Sequence, residues 1–106
     1  MNKKFIVRKN EEIQEIIKKN KKIINKYFII YFIENYLNYN RYCISVGKKI
    51  GKAHTRNLYK RRIKDILMKN DINSSCDYVI ILRTAIIGIK YEIMRDELIK
   101  ALKGEK

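Results

Sequence analysis

The chain has 106 residues, of which 25 are Lys or Arg and 11 are Asp or Glu, so its formal net charge is +14. Because 46% of the residues are hydrophobic, the composition is that of a folded domain and excludes a solvated basic tail. The longest apolar run covers the seven residues 27–33, whereas a membrane-spanning helix needs roughly 20. We therefore predict a single domain over residues 1–106, with a polyanion as the leading partner.

The first residues and the cysteines indicate the compartment. Residues 1–5 lack the apolar segment of a signal peptide, so we expect a cytoplasmic protein. Cys43 and Cys76 form no C-x-x-C pair and the chain has a single His, which argues against both a disulfide scaffold and a zinc site. We expect both cysteines to be reduced and buried.

The first element predicted along the chain is a helix at about 10–20. Asn10 stands where an N-cap would, acidic residues follow in the first turn, and lysines occupy the last turn, as the helix dipole favours. Ile13, Ile16 and Ile17 have the i, i+3, i+4 spacing of an apolar stripe. This helix should therefore pack on the rest of the domain through its isoleucines.

Strand patterns follow the helix. Residues 27–33 are β-branched and aromatic throughout, which predicts a strand with both faces covered or with one face open to a ligand. The Asn- and Tyr-rich residues 35–40 suit a hairpin loop to a second strand at 41–46. Residues 47–52 read as a strand end and turn, with room for a further short strand near Lys48.

The second half of the chain adds a helix at about 55–70, a buried strand at 77–83 and a closing helix over 91–102 with Gly104 as its C-cap residue. Strands mixed with helices in so short a chain predict an α+β fold, a two-layer sandwich of helices on a sheet. No linker, repeat or low-complexity segment divides the chain.

The charge is concentrated at the helix of residues 55–70. Residues 47–64 contain eight basic residues and no acidic residue, whereas a solvated helix face usually mixes both signs. On a helical wheel one arc is apolar and the adjoining arc is polar and basic. The apolar arc holds Tyr59, Ile63, Ile66 and Leu67, and the basic arc holds Asn57, Lys60, Arg61 and Lys64.

Nucleic acid is the partner that this basic arc favours, because phosphates relieve the mutual repulsion of clustered cations. The amide of Asn57 adds a neutral donor and acceptor suited to a sugar hydroxyl or a base edge. An acidic membrane surface, an acidic protein partner and simple solubility are the alternatives that the charge alone leaves open.

Residues 45–64 resemble the signature of the bacterial ribonuclease P protein subunit. In that family a K-K-x-G-x-A turn precedes an R-N-x-x-K-R-x-x-[KR] helix, and the resemblance extends from about Arg8 to Lys103. It implies a mixed sheet of about four strands with three helices, a fold that resembles domain 2 of certain ribosomal proteins. The matching positions are Lys48, Lys49, Gly51, Ala53, Arg56, Asn57, Lys60, Arg61 and Lys64.

The resemblance also implies a function. In the family a large RNA with bound Mg²⁺ hydrolyses a phosphodiester at the 5′ end of precursor tRNA, and the protein contacts both that RNA and the 5′ leader. The implied partners are therefore ribonuclease P RNA and precursor tRNA, with no membrane and no stable protein partner. Mg²⁺ is implied as a cofactor bound mainly by the RNA, and no catalytic residue is implied in the protein.

Residues 1–8 are basic as well, and are predicted to be a flexible arm that either becomes ordered on RNA or frays.

Two sets of site residues follow from the resemblance. The implied RNA-binding residues are Lys48, Lys49, Lys52, Arg56, Asn57, Lys60, Arg61, Arg62 and Lys64. The implied leader groove, between the first helix and the sheet, is lined by Ile13, Ile17, Tyr31, Asn57, Arg61 and Lys64.

The chain departs from the family pattern in its first helix. Ile13 and Ile17 stand where the family often has Phe, which weakens the expectation of base stacking from the first helix. Tyr31 is the groove aromatic, and Phe28, on the opposite face of the same strand, is expected in the core.

Other functions remain as alternatives. A general RNA-binding or ribosome-associated protein would share the charge and fold class. A self-contained nuclease is a third hypothesis, although no carboxylate pair or nucleophile–base set stands out.

Overall fold

The computed structural model describes residues 1–104, and its three helices and mixed sheet of four strands confirm the predicted α+β class. Short 3-10 turns cover Lys3–Phe5, Lys48–Ile50 and Thr84–Ile86. The helices and strands in chain order are α1 (Asn10–Lys18), β1 (Lys22–Ile24), β2 (Phe28–Glu34), β3 (Arg41–Ser45), α2 (Ala53–Lys69), β4 (Cys76–Leu82) and α3 (Tyr91–Leu102).

The strand order is β1-β2-β4-β3, with β2 antiparallel to β4 and β3 parallel to β4. The prediction that residues 35–40 form a hairpin loop between two paired strands is therefore wrong, because β4 lies between β2 and β3. Residues 77–80 of β4 are all buried, as suits a central strand, whereas β3 is mostly half-buried and lies at an edge.

Helices cover the two faces of the sheet unequally. α2 and α3 pack on one face, where Phe28 and Ile80 are fully buried, and the prediction that Phe28 is a core residue is confirmed. α1 lies on the opposite face over β2 and β4, where Ile16 packs with Val7 and Val79. All four residues of the predicted apolar arc of α2 are buried, namely Tyr59, Ile63, Ile66 and Leu67.

Several element ends differ from the predictions. Lys9, not Asn10, holds the N-cap position of α1, and its side chain makes no capping hydrogen bond. The short β1 strand was not predicted, since three residues with exposed ends carry almost no periodic signal. Residues around Lys48 form a 3-10 turn and not a strand. Lys103, not Gly104, holds the C-cap position of α3, and Gly104 follows it with φ of +70°.

The segment before α1 is attached to β3 in the structure. Val7 is buried, and its N–H donates to the carbonyl oxygen of Tyr42 over 2.9 Å. The Phe5 ring meets the Tyr39 ring edge-on, with 5.5 Å between centroids. The prediction of a flexible basic arm concerns motion in solution and stays a prediction. No helix within residues 1–104 is long and apolar enough to cross a membrane.

Candidate nucleic-acid interface

The turn before α2 requires glycine at position 51. Gly51 has φ of +154°, and a Cβ atom there would lie 3.0 Å from Cγ2 of Thr55. The same turn carries Lys48 and Lys49, both exposed, directly before the helix begins. The backbone of this turn therefore places two cations beside the N-terminal end of α2.

The N-terminal end of α2 is itself electropositive and uncompensated. Its first turn holds no acidic residue, and Lys52 at the cap position makes no side-chain hydrogen bond. By contrast, Glu11 and Glu12 lie in the first turn of α1, and Glu92 lies in that of α3. Free N–H groups and the positive end of the helix dipole attract anions, so this end of α2 is suited to phosphate.

The basic arc of α2 continues from that end. Asn57 and Arg61 are exposed, and Lys60 and Lys64 are half-buried. Within residues 1–104, none of the eight basic residues between 47 and 64 takes part in a salt bridge. The Nε atom of Arg56 is buried and has no hydrogen-bond partner among the described residues. These unneutralised charges are available to an external anion.

Lys60 shows how α2 meets the other face of the sheet. Burial raises the pKa of the Cys43 thiol, and the nearby positive charge of Lys60 acts in the opposite direction. Cys43 belongs to the cluster on the α1 face of the sheet, although α2 packs on the opposite face. α2 contacts the edge strand β3, so the charge of Lys60 acts across this edge of the sheet. Cys43 and Cys76 are free thiols, as predicted, but both are half-buried and not fully buried.

A row of side chains crosses the α1 face in register. Lys22 on β1 pairs with Tyr31 on β2, Tyr31 pairs with Val79 on β4, and Val79 pairs with Cys43 on β3. The Nζ atom of Lys22 lies 5.6 Å from the centroid of the half-buried Tyr31 ring. The row thus has Lys22 at one edge and the Lys60 charge near the other, with an aromatic ring between them.

Lys22 is a candidate contact that the sequence analysis missed. Its Nζ atom donates to Oδ1 of Asn20 over 2.9 Å, and Asn20 has φ of +58° at the turn into β1. Both features depend on β1, which the sequence did not predict. The doublet of Ile23 and Ile24 after two lysines was the only signal for that strand.

The structure brings some of the predicted groove residues together and separates others. Ile13 and Tyr31 pack against the same small cluster under α1, and Ile17 is half-buried one turn along the helix. Asn57, Arg61 and Lys64 lie on α2, so they approach this groove only around the β3 edge. Their orientation toward the groove stays a prediction.

Arg62 and His54 also belong to the basic segment of residues 47–64. The guanidinium carbon of Arg62 lies 5.7 Å from the centroid of the Tyr59 ring, which places Arg62 at the margin of the basic arc. His54 is exposed in the first turn of α2. Residues 1–104 contain no group of three or more His, Cys, Asp or Glu side chains that could hold a metal ion.

Comparison with known proteins identifies the family. The family model described as Ribonuclease P matches residues 1–105. The chain belongs to the ribonuclease P protein family. It is 45% identical to the ribonuclease P protein component of Mycoplasma mycoides subsp. mycoides SC, with 100% of both chains covered. It is also 37% identical to the component of Geobacillus sp. (strain WCH70), with 97% of this chain and 91% of that one covered.

Solved structures agree with the ribonuclease P assignment. The RNase P protein from Thermotoga maritima superimposes with a TM-score of 0.88 at 30% identity, over 95% of this chain and 97% of that one. A Staphylococcus aureus RNase P protein mutant, described as defective in mRNA degradation activity, gives a TM-score of 0.87 at 30% identity over 95% of this chain and 87% of that one. The chain is thus a protein subunit of ribonuclease P, and the predicted family membership is confirmed.

Proposed function

We propose that this subunit binds ribonuclease P RNA and the 5′ leader of precursor tRNA, and thereby promotes Mg²⁺-dependent removal of the leader. The observation that carries the proposal is the basic segment 47–64, whose cations form no salt bridge within the described residues and extend from the uncapped N-terminal end of α2 along the helix. A fold needs no such segment, whereas a polyanionic partner does.

In this proposal two surfaces of the protein bind different parts of the RNA. Lys48, Lys49 and the basic arc of α2 contact phosphates, since their ammonium and guanidinium groups replace solvent counterions. The α1 face, with half-exposed Tyr31 and Ile13, receives the unpaired leader, since single strands bind to aromatic and apolar platforms bordered by cations. The β3 edge, across which the charge of Lys60 acts on the Cys43 thiol, joins the two surfaces.

The chain's contribution to the reaction is binding energy and charge. Mg²⁺ bound by the RNA would supply the activation of water that phosphodiester hydrolysis needs. The basic residues of this chain partly neutralise the crowded phosphates and hold the leader against the sheet. Catalytic groups in the RNA and Mg²⁺ as its cofactor are parts of the proposal that rest on the family.

One reconstitution experiment tests the proposal. The purified protein is mixed with a bacterial ribonuclease P RNA and precursor tRNA at low Mg²⁺, beside reactions that contain the RNA alone or the protein alone. We expect cleavage at the 5′ end of the tRNA to be faster with protein and RNA together than with RNA alone. RNA binding without faster cleavage would indicate a general RNA-binding protein, and cleavage by protein alone would indicate a nuclease.

A further inference from the structure

A network of charged side chains joins α1 to the sheet at one end of the groove. The Nε atom of Arg41 donates to Oδ1 of Asp77 over 2.8 Å, and its Nη2 atom donates to Oδ2 of Asp77 over 2.6 Å. Nη2 also donates to Oε2 of Glu12 over 2.7 Å. One guanidinium on β3 thus binds a carboxylate on β4 and a carboxylate on α1.

The two carboxylates have different surroundings. The side chain of Asp77 is only 5% exposed, and Nδ2 of Asn35 donates to its Oδ1 over 2.8 Å, so Arg41 and Asn35 compensate a buried charge. The side chain of Glu12 is 38% exposed and has no such burial to compensate. The hydrogen bond to Asp77 raises the pKa of Arg41, which therefore stays charged and available to Glu12.

α1 depends on such contacts for its position. It has nine residues and no side-chain N-cap, and a helix this short is marginal by itself. Within residues 1–104, the other salt bridges lie inside α2, between Lys69 and Asp65, and inside α3, between Arg95 and Asp96. The bond from Arg41 is therefore the one ion pair among the described residues that links α1 to the sheet.

The spacing along α1 shows what the link controls. Glu12 and Ile16 are four residues apart and lie on one side of the helix, so the ion pair and the buried Ile16 hold that side at two points one turn apart. Ile13 and Ile17 lie about 100° further around the axis. A roll of the helix by about 20° would move a side-chain tip at a radius of about 5–6 Å by about 2 Å.

We propose that Glu12 and Arg41 are positioning residues for leader binding, which set the rotation of α1 and so the place of Ile13 and Ile17 opposite Tyr31. This inference rests on the proposed function, because it takes the groove between α1 and the sheet as the leader site. Glu12 acts only through the helix that carries it and touches no RNA.

The test compares variants of Glu12 in the reconstituted holoenzyme. The measured quantity is the leader-dependent gain, defined as the affinity for precursor tRNA divided by the affinity for the same tRNA without a leader. Glu12→Ala should lower this gain about two- to fivefold, the range for loss of one partly exposed ion pair. Glu12→Gln should lower it less, since its amide oxygen still accepts from Arg41. Arg41 stays unchanged because it also compensates Asp77.

Glu15→Ala is the matched control. Glu15 is exposed on the same helix and its removal changes the net charge equally, so it should leave the gain unchanged. Affinity for ribonuclease P RNA alone should be the same in all variants, which separates a loss of positioning from a loss of fold. A Glu12→Ala variant that keeps the parent's gain, or a Glu15→Ala variant that loses as much, would overturn the positioning role.

A further variant separates this inference from the proposed function. Tyr31→Ala removes the groove aromatic directly. If the parent shows no leader-dependent gain, or if Tyr31→Ala leaves the gain intact, the groove is not the leader site and both proposals are wrong. If Tyr31→Ala abolishes the gain and Glu12→Ala does not change it, the groove stands and the positioning role alone is wrong.

Discussion

α2 and α3 make comparable contributions to the core and differ in the charges that they expose. Each buries four residues against the same face of the sheet. The first turn of α3 holds Glu92, and Arg95 pairs with Asp96, so its charges are balanced locally. The first turn of α2 has no acid, and the cations before Asp65 are unpaired within the described chain. The charge of α2 is therefore not a requirement of the fold, and it is available to a ligand.

The largest expected effect tests whether the two helices are equivalent in the core. Ile63 on α2 and Leu98 on α3 are both fully buried. Replacing either by Ala should lower the free energy of unfolding by about 2–5 kcal/mol, because each leaves a cavity in close-packed surroundings. Urea unfolding of the two variants measures this. A loss below about 1 kcal/mol in one of them would show that the helices do not share the core equally.

A smaller effect, on leader affinity, is expected for substitution of Tyr31. This substitution probes the open face of the sheet, whereas Ile63 and Leu98 probe the packed face. If its ring stacks on a leader base, Tyr31→Ala should weaken leader binding by about 1–3 kcal/mol. Tyr31→Phe keeps the ring and should retain most of the affinity. Titration of the holoenzyme with precursor tRNA measures both, beside an unfolding curve for each variant. An unchanged affinity in a folded Tyr31→Ala protein would show that the groove lined by Tyr31 is not the leader site.

The smallest expected effect is on the pH dependence of stability, through Asp65, the one acidic residue of α2. The Tyr91 hydroxyl donates to Oδ2 of Asp65 over 2.6 Å, and this bond, with that from Lys69, lowers the pKa of Asp65 below its ordinary 3.8. A lowered carboxyl pKa adds stability above the ordinary value and loses it as the pH falls through the lower one. The stability difference between the parent and Tyr91→Phe should therefore be present at pH 7 and shrink below about pH 3.8. A difference independent of pH would exclude this linkage.

Periodicity was enough to predict much of the two helices. The 3.6-residue spacing of Tyr59, Ile63, Ile66 and Leu67 predicted the buried side of α2 correctly, because local pattern and burial agree there. The resemblance to the ribonuclease P signature named the family that the comparisons confirm.

The arrangement across the sheet could not be predicted in the same way. The row from Lys22 to Cys43 and the influence of the Lys60 charge on Cys43 depend on the order β1-β2-β4-β3. The sequence suggested a hairpin there, because an Asn-rich loop between two strand patterns is the usual hairpin signal. The link from Glu12 through Arg41 to Asp77 joins residues up to 65 positions apart and has no local signature.

The central claim is that the unpaired cations of α2, and not the basic residues of α3, face RNA. Its direct test is the salt dependence of affinity for ribonuclease P RNA in two triple variants that remove equal charge. One variant replaces Arg56, Lys60 and Lys64 with Gln. The matched control replaces Arg95 and Lys100 of α3, and Lys103 at its C-cap position, with Gln.

The slope of log affinity against log salt concentration shows which of the two helices faces RNA. The α2 variant should have a slope shallower than the parent's by about two to three units, since each lost phosphate contact removes about 0.7–0.9. The α3 variant should keep the parent's slope. Equal slopes in all three proteins, or a shallower slope only in the α3 variant, would contradict the assignment of the RNA surface to α2.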